Sequence, residues 1–331
     1  MRRTPALIVG GALAGSAAAV ALARGGLRPI VLERTRETGD ALCGGFLSWR
    51  TLDRLLALGV EPDRLNPRRL TRVRVFAGAR EAEARLPRPA LCVSRHRFDT
   101  VMQAVAQDVG AGLERGVAVR SADARTLHLA DGATLSPAAL FLGTGKHDLR
   151  GLARPKPDGD PTLGLRVRLH PSDAERRPWE DAIELHLFDR GYAGLAVQED
   201  GSANFCLAVK RSRLHEAGSP ERLLQEIAAA SPAFAERLDL RRADAPIDAV
   251  ANVPYGWRAT AGAPGLFRLG DQAAVIPSLA GEGMGIAVAS GASAADAYLG
   301  GGAGAASEWQ RRFARRTARP VKVAALVREA S

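Results

Sequence analysis

Thr4 to Arg34 reads TPALIVGGALAGSAAAVALARGGLRPIVLER. Ala6 to Val9 is an apolar run with the length and composition of a fully buried strand. The turn Gly10-Gly11-Ala12-Leu13-Ala14-Gly15 follows at once, then a small-residue helix over Ser16 to Arg24, closed by Gly25-Gly26. Pro29 to Leu32 is a second short apolar strand. Glu33 closes it about 20 residues past the turn, where a dinucleotide site places an acid for ribose hydroxyls. A pyrophosphate sits against bare N–H groups at a helix start, where the dipole favours negative charge. Gly10 permits the tight turn and Gly15 lets helix and strand pack closely. The middle glycine of the pattern is here Ala12, whose methyl group points near the phosphates.

Two plainer readings compete. Met1-Arg2-Arg3 before an alanine-rich run imitates a secretory or twin-arginine leader. The Gly11-x-x-x-Gly15 spacing imitates a membrane helix-dimer face. Both need one continuous helix, and five glycines plus a second strand ending in an acid argue against that.

Working outward, 331 residues can bury a full core in one large or two modest domains. Net charge is +10, carried almost wholly by arginine; lysine occurs at 146, 156, 210 and 322. Such a balance suits nucleic acid, an anionic membrane or an anionic ligand. The arginines are scattered and aromatics are 5%, which speaks against a base-stacking platform and for a solvated basic surface. Cys43, Cys92 and Cys206 are odd in number and unpaired in spacing, so neither a disulfide framework nor a zinc site is expected. The histidines show no metal-ligand spacing, so no metal is expected. A reducing, cytoplasmic setting fits.

Arg34 to Gly45 reads as a loop, and Ser48 caps a helix to Leu58. Short strands are expected over Val73 to Phe76 and Leu91 to Ser94, and a helix over Arg97 to Val109. Val117 to Ser121 and Thr126 to Leu129 follow as strands. The strand Ala139 to Leu142 runs into Gly143-Thr144-Gly145-Lys146. The proline-rich Arg154 to Pro161 reads as a linker. Leu163 to His170, Ile183 to Phe188, Tyr192 to Val197 and Asn204 to Val209 alternate like an antiparallel sheet with one face buried. Helices over Pro220 to Ala230 and Phe234 to Leu240 and a strand over Ile247 to Val253 complete this middle part. The end returns to the first character: a strand over Leu266 to Leu269, Gly270-Asp271, a glycine-rich loop over Pro277 to Gly285 and a small-residue helix over Ile286 to Leu299. A flexible break over Gly300 to Gly304 precedes a basic helix, Glu308 to Val327, interrupted by Pro320.

A nucleotide fold interrupted by an antiparallel sheet, with a late Gly-Asp, resembles the FAD-dependent family of aromatic hydroxylases (group A flavoprotein monooxygenases) and geranylgeranyl reductases, with flavin halogenases as cousins. Its anchors are the N-terminal turn ending in Glu33, the segment Val93 to Asp99, and Leu269-Gly270-Asp271-Gln272-Ala273-Ala274-Val275-Ile276-Pro277 with Gly281-Glu282-Gly283-Met284-Gly285. The resemblance covers nearly the whole chain. It implies an α/β fold: a Rossmann-like FAD-binding domain of the p-hydroxybenzoate hydroxylase type with an inserted antiparallel β-sheet substrate domain. Residues 1–75, 91–153 and 262–302 would form the first, 76–90 and 154–261 the second, and 303–331 a C-terminal helix.

The implied FAD contacts come from both ends. Gly10, Ala12, Leu13, Ala14 and Gly15 would meet the pyrophosphate, and Glu33, Arg34, Arg95 and Val119 would lie toward the adenosine. Asp271 after Gly270 would take the ribityl chain; Pro277, Gly281, Gly283 and Met284 would approach pyrophosphate and flavin. Gly44, beside Cys43, resembles the reductase branch. Three departures mark the chain. Thr144 stands where hydroxylases carry the acid of an Asp-Gly motif, the halogenase G-W-x-W-x-I-P is absent, and Tyr192 alone remains of the reductases' Tyr-x-Trp-x-Phe-Pro.

Flavin supplies the hard step, so no Ser-His-Asp or metal cluster is required. The expected activity is that of a monooxygenase using NAD(P)H and O2 on an apolar or aromatic small molecule. A flavin-dependent C=C reductase of an isoprenoid and a non-catalytic flavin-binding protein are the alternatives. Cys43 and Tyr192 are the catalytic candidates; as plain structure they would be a small filler and a packed core aromatic. No nucleic-acid partner is expected. The basic final helix could touch a membrane, but packing is its plainer role.

Overall fold

The computed structural model describes residues 6–123, 126–155 and 159–330. The basic start Met1 to Arg3 and the middle of the Arg154 to Pro161 segment, including Lys156, lie outside the described residues.

Strand β1 (Ala6–Val9) feeds helix α1 (Leu13–Arg24) and returns as β2 (Ile30–Glu33). After β3 (Phe46–Leu47) and α2 (Trp49–Ala57) come β4 (Leu70–Ala77) and the long β5 (Arg80–Cys92). Helix α3 (Arg95–Asp108), β6 (Gly112–Arg115), β7 (Val119–Ala122), β8 (Leu127–Leu129), β9 (Thr134–Leu135) and β10 (Ala139–Leu142) complete the first half. The second half holds β11 (Thr162–Leu169), α4 (Asp173–Arg176), β12 (Ala182–Phe188), β13 (Gly191–Val197), β14 (Ala203–Lys210), α5 (Arg211–Ala217), α6 (Pro220–Ala230), α7 (Pro232–Leu238), β15 (Asp248–Val253), β16 (Leu266–Arg268), α8 (Gly283–Gly301) and α9 (Ala306–Ala330).

A five-stranded parallel sheet has the order β16-β10-β1-β2-β6. Successive side chains of β1 enter different cores. Ala6 and Ile8 pack with α1, α3 and α8, while Leu7 and Val9 pack under the small β7-β8-β9 sheet. Burial on both faces explains why this strand reads as an unbroken apolar run.

The eight-stranded sheet, β15-β11-β14-β13-β12-β4-β5-β3, is antiparallel except where β12 runs parallel to β4. One face is covered by α5, α6 and α7; the other faces the first sheet across a cleft. Both faces of the sheet are therefore used, where one was expected. The expected boundary at 75/76 falls inside β4, which pairs with β12 and β5. Only the ends of the β4–β5 hairpin were legible, because Arg80 to Pro89 is charged and carries two prolines, as exposed edge strands do.

Other differences are local. The strand expected to Ser94 stops at Cys92, and Ser94 instead caps α3, its Oγ accepting from Arg97 N–H. Helices α1 and α8 start inside their glycine-rich turns, at Leu13 and Gly283. The break after Leu299 is one tight turn, and α9 runs through Pro320, which sits on the exposed side. Strand β6 and helix α5 went unread; β6 is a short, largely exposed strand with no apolar run to announce it.

Candidate functional site

Strands β16, β10 and β1 are neighbours and parallel, so the loops at their carboxyl ends open on one edge. Those loops form one wall of the cleft. It is lined by Ala12, Leu13 and Ala14 at the start of α1, by Gly143, Gly145 and Lys146 after β10, and by Leu269, Gly270 and Asp271 after β16. Gly281, Gly283 and Met284 at the start of α8 join them. Segments 256 residues apart thus line one cleft. A Cβ on Gly270 would lie 3.3 Å from that of Ala14, and one on Gly291 only 2.2 Å from the Ala14 carbonyl oxygen.

The turn after β1 explains its composition. Gly10 has φ +99°, and a Cβ there would lie 2.4 Å from the Gly143 carbonyl oxygen. A Cβ on Gly15 would lie 1.9 Å from the Gly10 carbonyl oxygen. Ala12, by contrast, has φ −76° and ψ −170°, ordinary extended backbone, so alanine stands there without strain. Glu33 Oε2 accepts from Gly11 N–H at 2.8 Å, and its Oε1 accepts from Thr35 N–H and Oγ1–H. Ser16 Oγ and Gln103 Nε2 both donate to the Gly11 carbonyl at 2.8 Å.

The wall suits a dinucleotide on two observations. Gly44, Gly145 and Gly283 border the cleft, and a Cβ on any of them would meet nothing within 4 Å. Arg95 lines the cleft with its Nη2 on Asp99, at 2.9 and 3.2 Å, while its buried Nε has no hydrogen-bond partner. A hydrogen-bond acceptor is what that Nε lacks, and a phosphate oxygen would supply one.

The opposite wall is the inner face of the eight-stranded sheet. Val73, Ile183, Leu185, Tyr192, Gly194, Cys206, Ala208 and Val250 line it. Glu184 and His186 alternate with Ile183 and Leu185 and point to the helical side, both buried. The sheet wall's polar hydroxyls converge at one place. Tyr192 donates to Ser278 Oγ at 2.5 Å, and Tyr255 donates to the same oxygen at 2.8 Å. Burial raises Tyr192 well above the usual tyrosine range, so its phenol stays protonated.

Cys43 borders the cleft in a loop held from three sides. Its carbonyl accepts from Asn204 Nδ2 at 2.7 Å and from Cys206 Sγ at 3.1 Å, and Lys146 Nζ donates to Leu42 O at 2.8 Å. Cys206 also lines the cleft, its thiol pushed up to about 12 by burial. Cys92 is buried away from it.

Several expected contacts stand back from the lining. Gly10 and Gly15 shape the turn from behind, and Pro277 is buried ahead of Ser278. Arg34 is exposed, with Nη2 2.7 Å from His147 Nε2. Burial and the charges of Arg34 and Lys146 lower His147, leaving a neutral ring that can accept from the guanidinium. Val119, in β7 of the small sheet, is half-buried against the cluster beneath that sheet.

The sequence reading missed Arg154, Gln272, Ser278 and Tyr255. Arg154 is no linker residue: it is buried, with Nε on Asp148 Oδ1 at 2.7 Å, Nη1 on the Asp271 carbonyl at 3.0 Å and Nη2 on the Lys146 carbonyl at 2.9 Å. Gln272 Nε2 donates to the Gly145 carbonyl at 2.9 Å. Together they clamp the loop after β10 to the loop after β16. Burial pushes the Asp148 carboxyl up, but hydrogen bonds and the Arg154 charge outweigh it and hold it below the usual range. No local pattern announced these residues: Arg154 meets Asp271 117 residues on, Gln272 meets Gly145 127 residues back and Ser278 meets Tyr192 86 residues back. Among the described residues no group of three or more His, Cys, Asp or Glu is placed to hold a metal.

The fold and cleft define a dinucleotide-binding α/β protein whose cofactor cradle opens directly on a sheet-walled chamber. Residues 3–148, a little under half of the chain, match the family described as "FAD binding domain". Among solved structures, one similar fold is PqsL of Pseudomonas aeruginosa, described as a probable FAD-dependent monooxygenase. It is 16% identical with a TM-score of 0.78, over 99% of this chain and 96% of that one. A geranylgeranyl bacteriochlorophyll reductase-like protein of Thermoplasma acidophilum is 18% identical with a TM-score of 0.77, over 98% and 86%. The flavin-dependent brominase Bmp2 is 15% identical with a TM-score of 0.77, over 96% and 84%. No curated protein matches by sequence. The family match over residues 3–148 and the fold of these structures agree on an FAD-binding architecture.

Proposed function

We propose that this chain is an FAD-dependent monooxygenase acting on a small apolar or aromatic molecule that carries one polar group. The observation that carries the reading is the continuity of the FAD cradle with an apolar chamber whose sheet-side hydroxyls converge on Ser278. Bound FAD supplies the redox chemistry; the protein supplies position, dryness and electrostatics. Arg95 and the starts of α1 and α8 would hold the phosphates. Asp271 would take hydroxyls of the ribityl chain, and Glu33, already fixed on Gly11, has acceptor capacity left for a ribose. Ser278 accepts from two tyrosines and keeps its own O–H to orient a substrate oxygen. The apolar strands exclude water from the reacting centre. The similar fold of PqsL has been seen with 2-aminobenzoylacetate, a molecule of the chemistry this chamber would take. NAD(P)H is the electron donor in this reading, with exposed Arg34 beside the Lys146 loop as a cation for its phosphates.

A second reading, C=C reduction of an isoprenoid, is favoured by Cys43 and Gly44 at the cleft border, and by the reductase-like fold. Purified protein is expected to be yellow and to be bleached by NADPH or NADH. Substrate-dependent oxygen uptake marks the monooxygenase, and anaerobic saturation of an alkene marks the reductase. Bound flavin that no donor reduces would leave a binding protein without turnover.

A further inference from the structure

Helix α9 keeps two kinds of residue apart. Phe313, Ala314, Thr317, Val321 and Ala324 are buried. At 100° per residue they fall on one side. The opposite side carries Arg311, Arg312, Arg315, Arg316, Arg319 and Lys322, all exposed, and then changes character. Val323 is 50% exposed, Leu326 57% and Val327 51%, which makes them the most exposed large apolar side chains among the described residues. Both stretches lie on the same arc of the helix. Up to Val327, one acid, Glu308, shares this face, and it is already paired with Arg311, Arg312 and Arg315.

The position of the apolar tip is as informative as its composition. The inner side of the same turns, Val321 and Ala324, packs on Ile276, with Ala280 against the same cluster. Ile276 and Ala280 also line the cleft. The inner side of these turns is therefore one side chain away from the cleft, and the tip stands on the outer side of the same turns. No helix of the described residues is long and apolar enough to cross a membrane.

We infer that the outer face of α9 docks on an anionic lipid surface: the Val323–Leu326–Val327 tip enters the acyl boundary while the arginine band meets phosphate headgroups. Charge complementarity selects this occupant. A cationic band beside an apolar tip matches a surface that offers anions and hydrocarbon a few ångströms apart. A second copy of this chain would set the same arginines against each other. Docking brings the cleft wall to the bilayer, where an apolar substrate concentrates; that consequence rests on the function proposed above, whereas the docking itself does not.

The test is cosedimentation of the FAD-loaded full chain with phosphatidylglycerol–phosphatidylcholine vesicles and with phosphatidylcholine vesicles, at low salt and at about 1 M salt. Binding to the anionic vesicles at least about tenfold tighter than to the neutral ones is expected, and it should weaken in salt. Leu326→Glu is expected to lower the anionic binding about tenfold or more, and Arg315→Glu with Arg316→Glu by a similar factor. The flavin spectrum should not change, since none of these residues touches the cleft. Three results would overturn the inference: no preference for anionic vesicles, unchanged binding in Leu326→Glu, or a dimer that Leu326→Glu splits while vesicle binding persists. Vesicle binding is read without turnover, so its failure leaves the proposed reaction standing, and an inactive protein leaves the docking standing.

Discussion

The two walls of the cleft are built by opposite means. The cofactor wall is mostly backbone. Gly10 at φ +99°, Gly270 at +54° and Gly281 at +65° bend the chain so that main-chain atoms face the cleft. A Cβ on Gly281 would lie 2.7 Å from the Phe46 ring. The opposite wall, the substrate wall of the proposed function, is side chain laid on paired strands, and its shape depends on what stands behind it. Behind it is a buried charge cluster. Glu184 is fully buried, 2.8 Å from Arg74 Nη1, 2.9 Å from Arg237 Nε and 3.4 Å from His186 Nε2. Arg237 also lies over the Trp179 ring at 5.0 Å. One wall therefore breaks through geometry and the other through electrostatics.

The largest effect is expected behind the substrate wall. Glu184→Ala leaves Arg237 and Arg74 without their buried counter-charge and should cost about 3–5 kcal/mol in urea unfolding. Acid titration of the wild type sharpens the point. Burial pushes the Glu184 carboxyl up, but His186 and Arg237 outweigh it and bring it from 4.5 down to about 2. A lowered folded value means stability that is present above the unfolded value and lost as pH falls through the folded one. The expected loss, about 3 kcal/mol, should develop between 4.5 and about 2 and be absent in Glu184→Gln.

On the cofactor wall, Gly15→Ala drives a methyl into the Gly10 carbonyl. The expected cost is about 3 kcal/mol of stability, with most bound FAD lost on purification. Circular dichroism should show the eight-stranded sheet intact. If FAD content were unchanged, the backbone account of this wall would be wrong.

This contrast also explains what the sequence could tell. The turn from Gly10 to Gly15, and Gly270 with Asp271, were legible because each glycine is demanded by its own φ or by a contact one turn away. Ser278 was not, because its meaning depends on Tyr192, 86 residues earlier, and on Tyr255. Arg154 looked like a linker because its partners, Lys146, Asp148 and Asp271, meet it only in the folded chain. Pairing across such distances leaves no period in the sequence. The alternation of β12 was visible, yet it could not say which face held the ligand and which held Glu184.

Arg154→Lys tests the clamp between the two cofactor loops. Lysine keeps the charge but cannot reach three acceptors in one plane. The Kd for FAD should rise about tenfold, the loss of one to two charge-assisted hydrogen bonds, while the melting temperature falls by a few degrees. Ser278→Ala tests the substrate wall alone. If the proposed reaction holds, KM for a substrate that carries the polar group should rise about tenfold, with the FAD spectrum and Kd unchanged. A change in the flavin spectrum instead would move Ser278 from the substrate wall to the cofactor wall.

The smallest effect is expected where the sequence looked most deviant. Ala12 replaces the middle glycine of the dinucleotide pattern, and the obvious repair is Ala12→Gly. Its φ of −76° is one that any residue adopts, so the backbone gains nothing from glycine there. The unfolded chain, however, gains freedom, at a cost of up to about 1 kcal/mol on folding. Ala12→Gly should therefore leave the Kd for FAD within about threefold of wild type and lower stability slightly, read by flavin fluorescence and thermal melting. Binding more than about tenfold tighter would mean that the Ala12 methyl crowds the phosphates. The cofactor wall would then be limited by a side chain after all, as the substrate wall is.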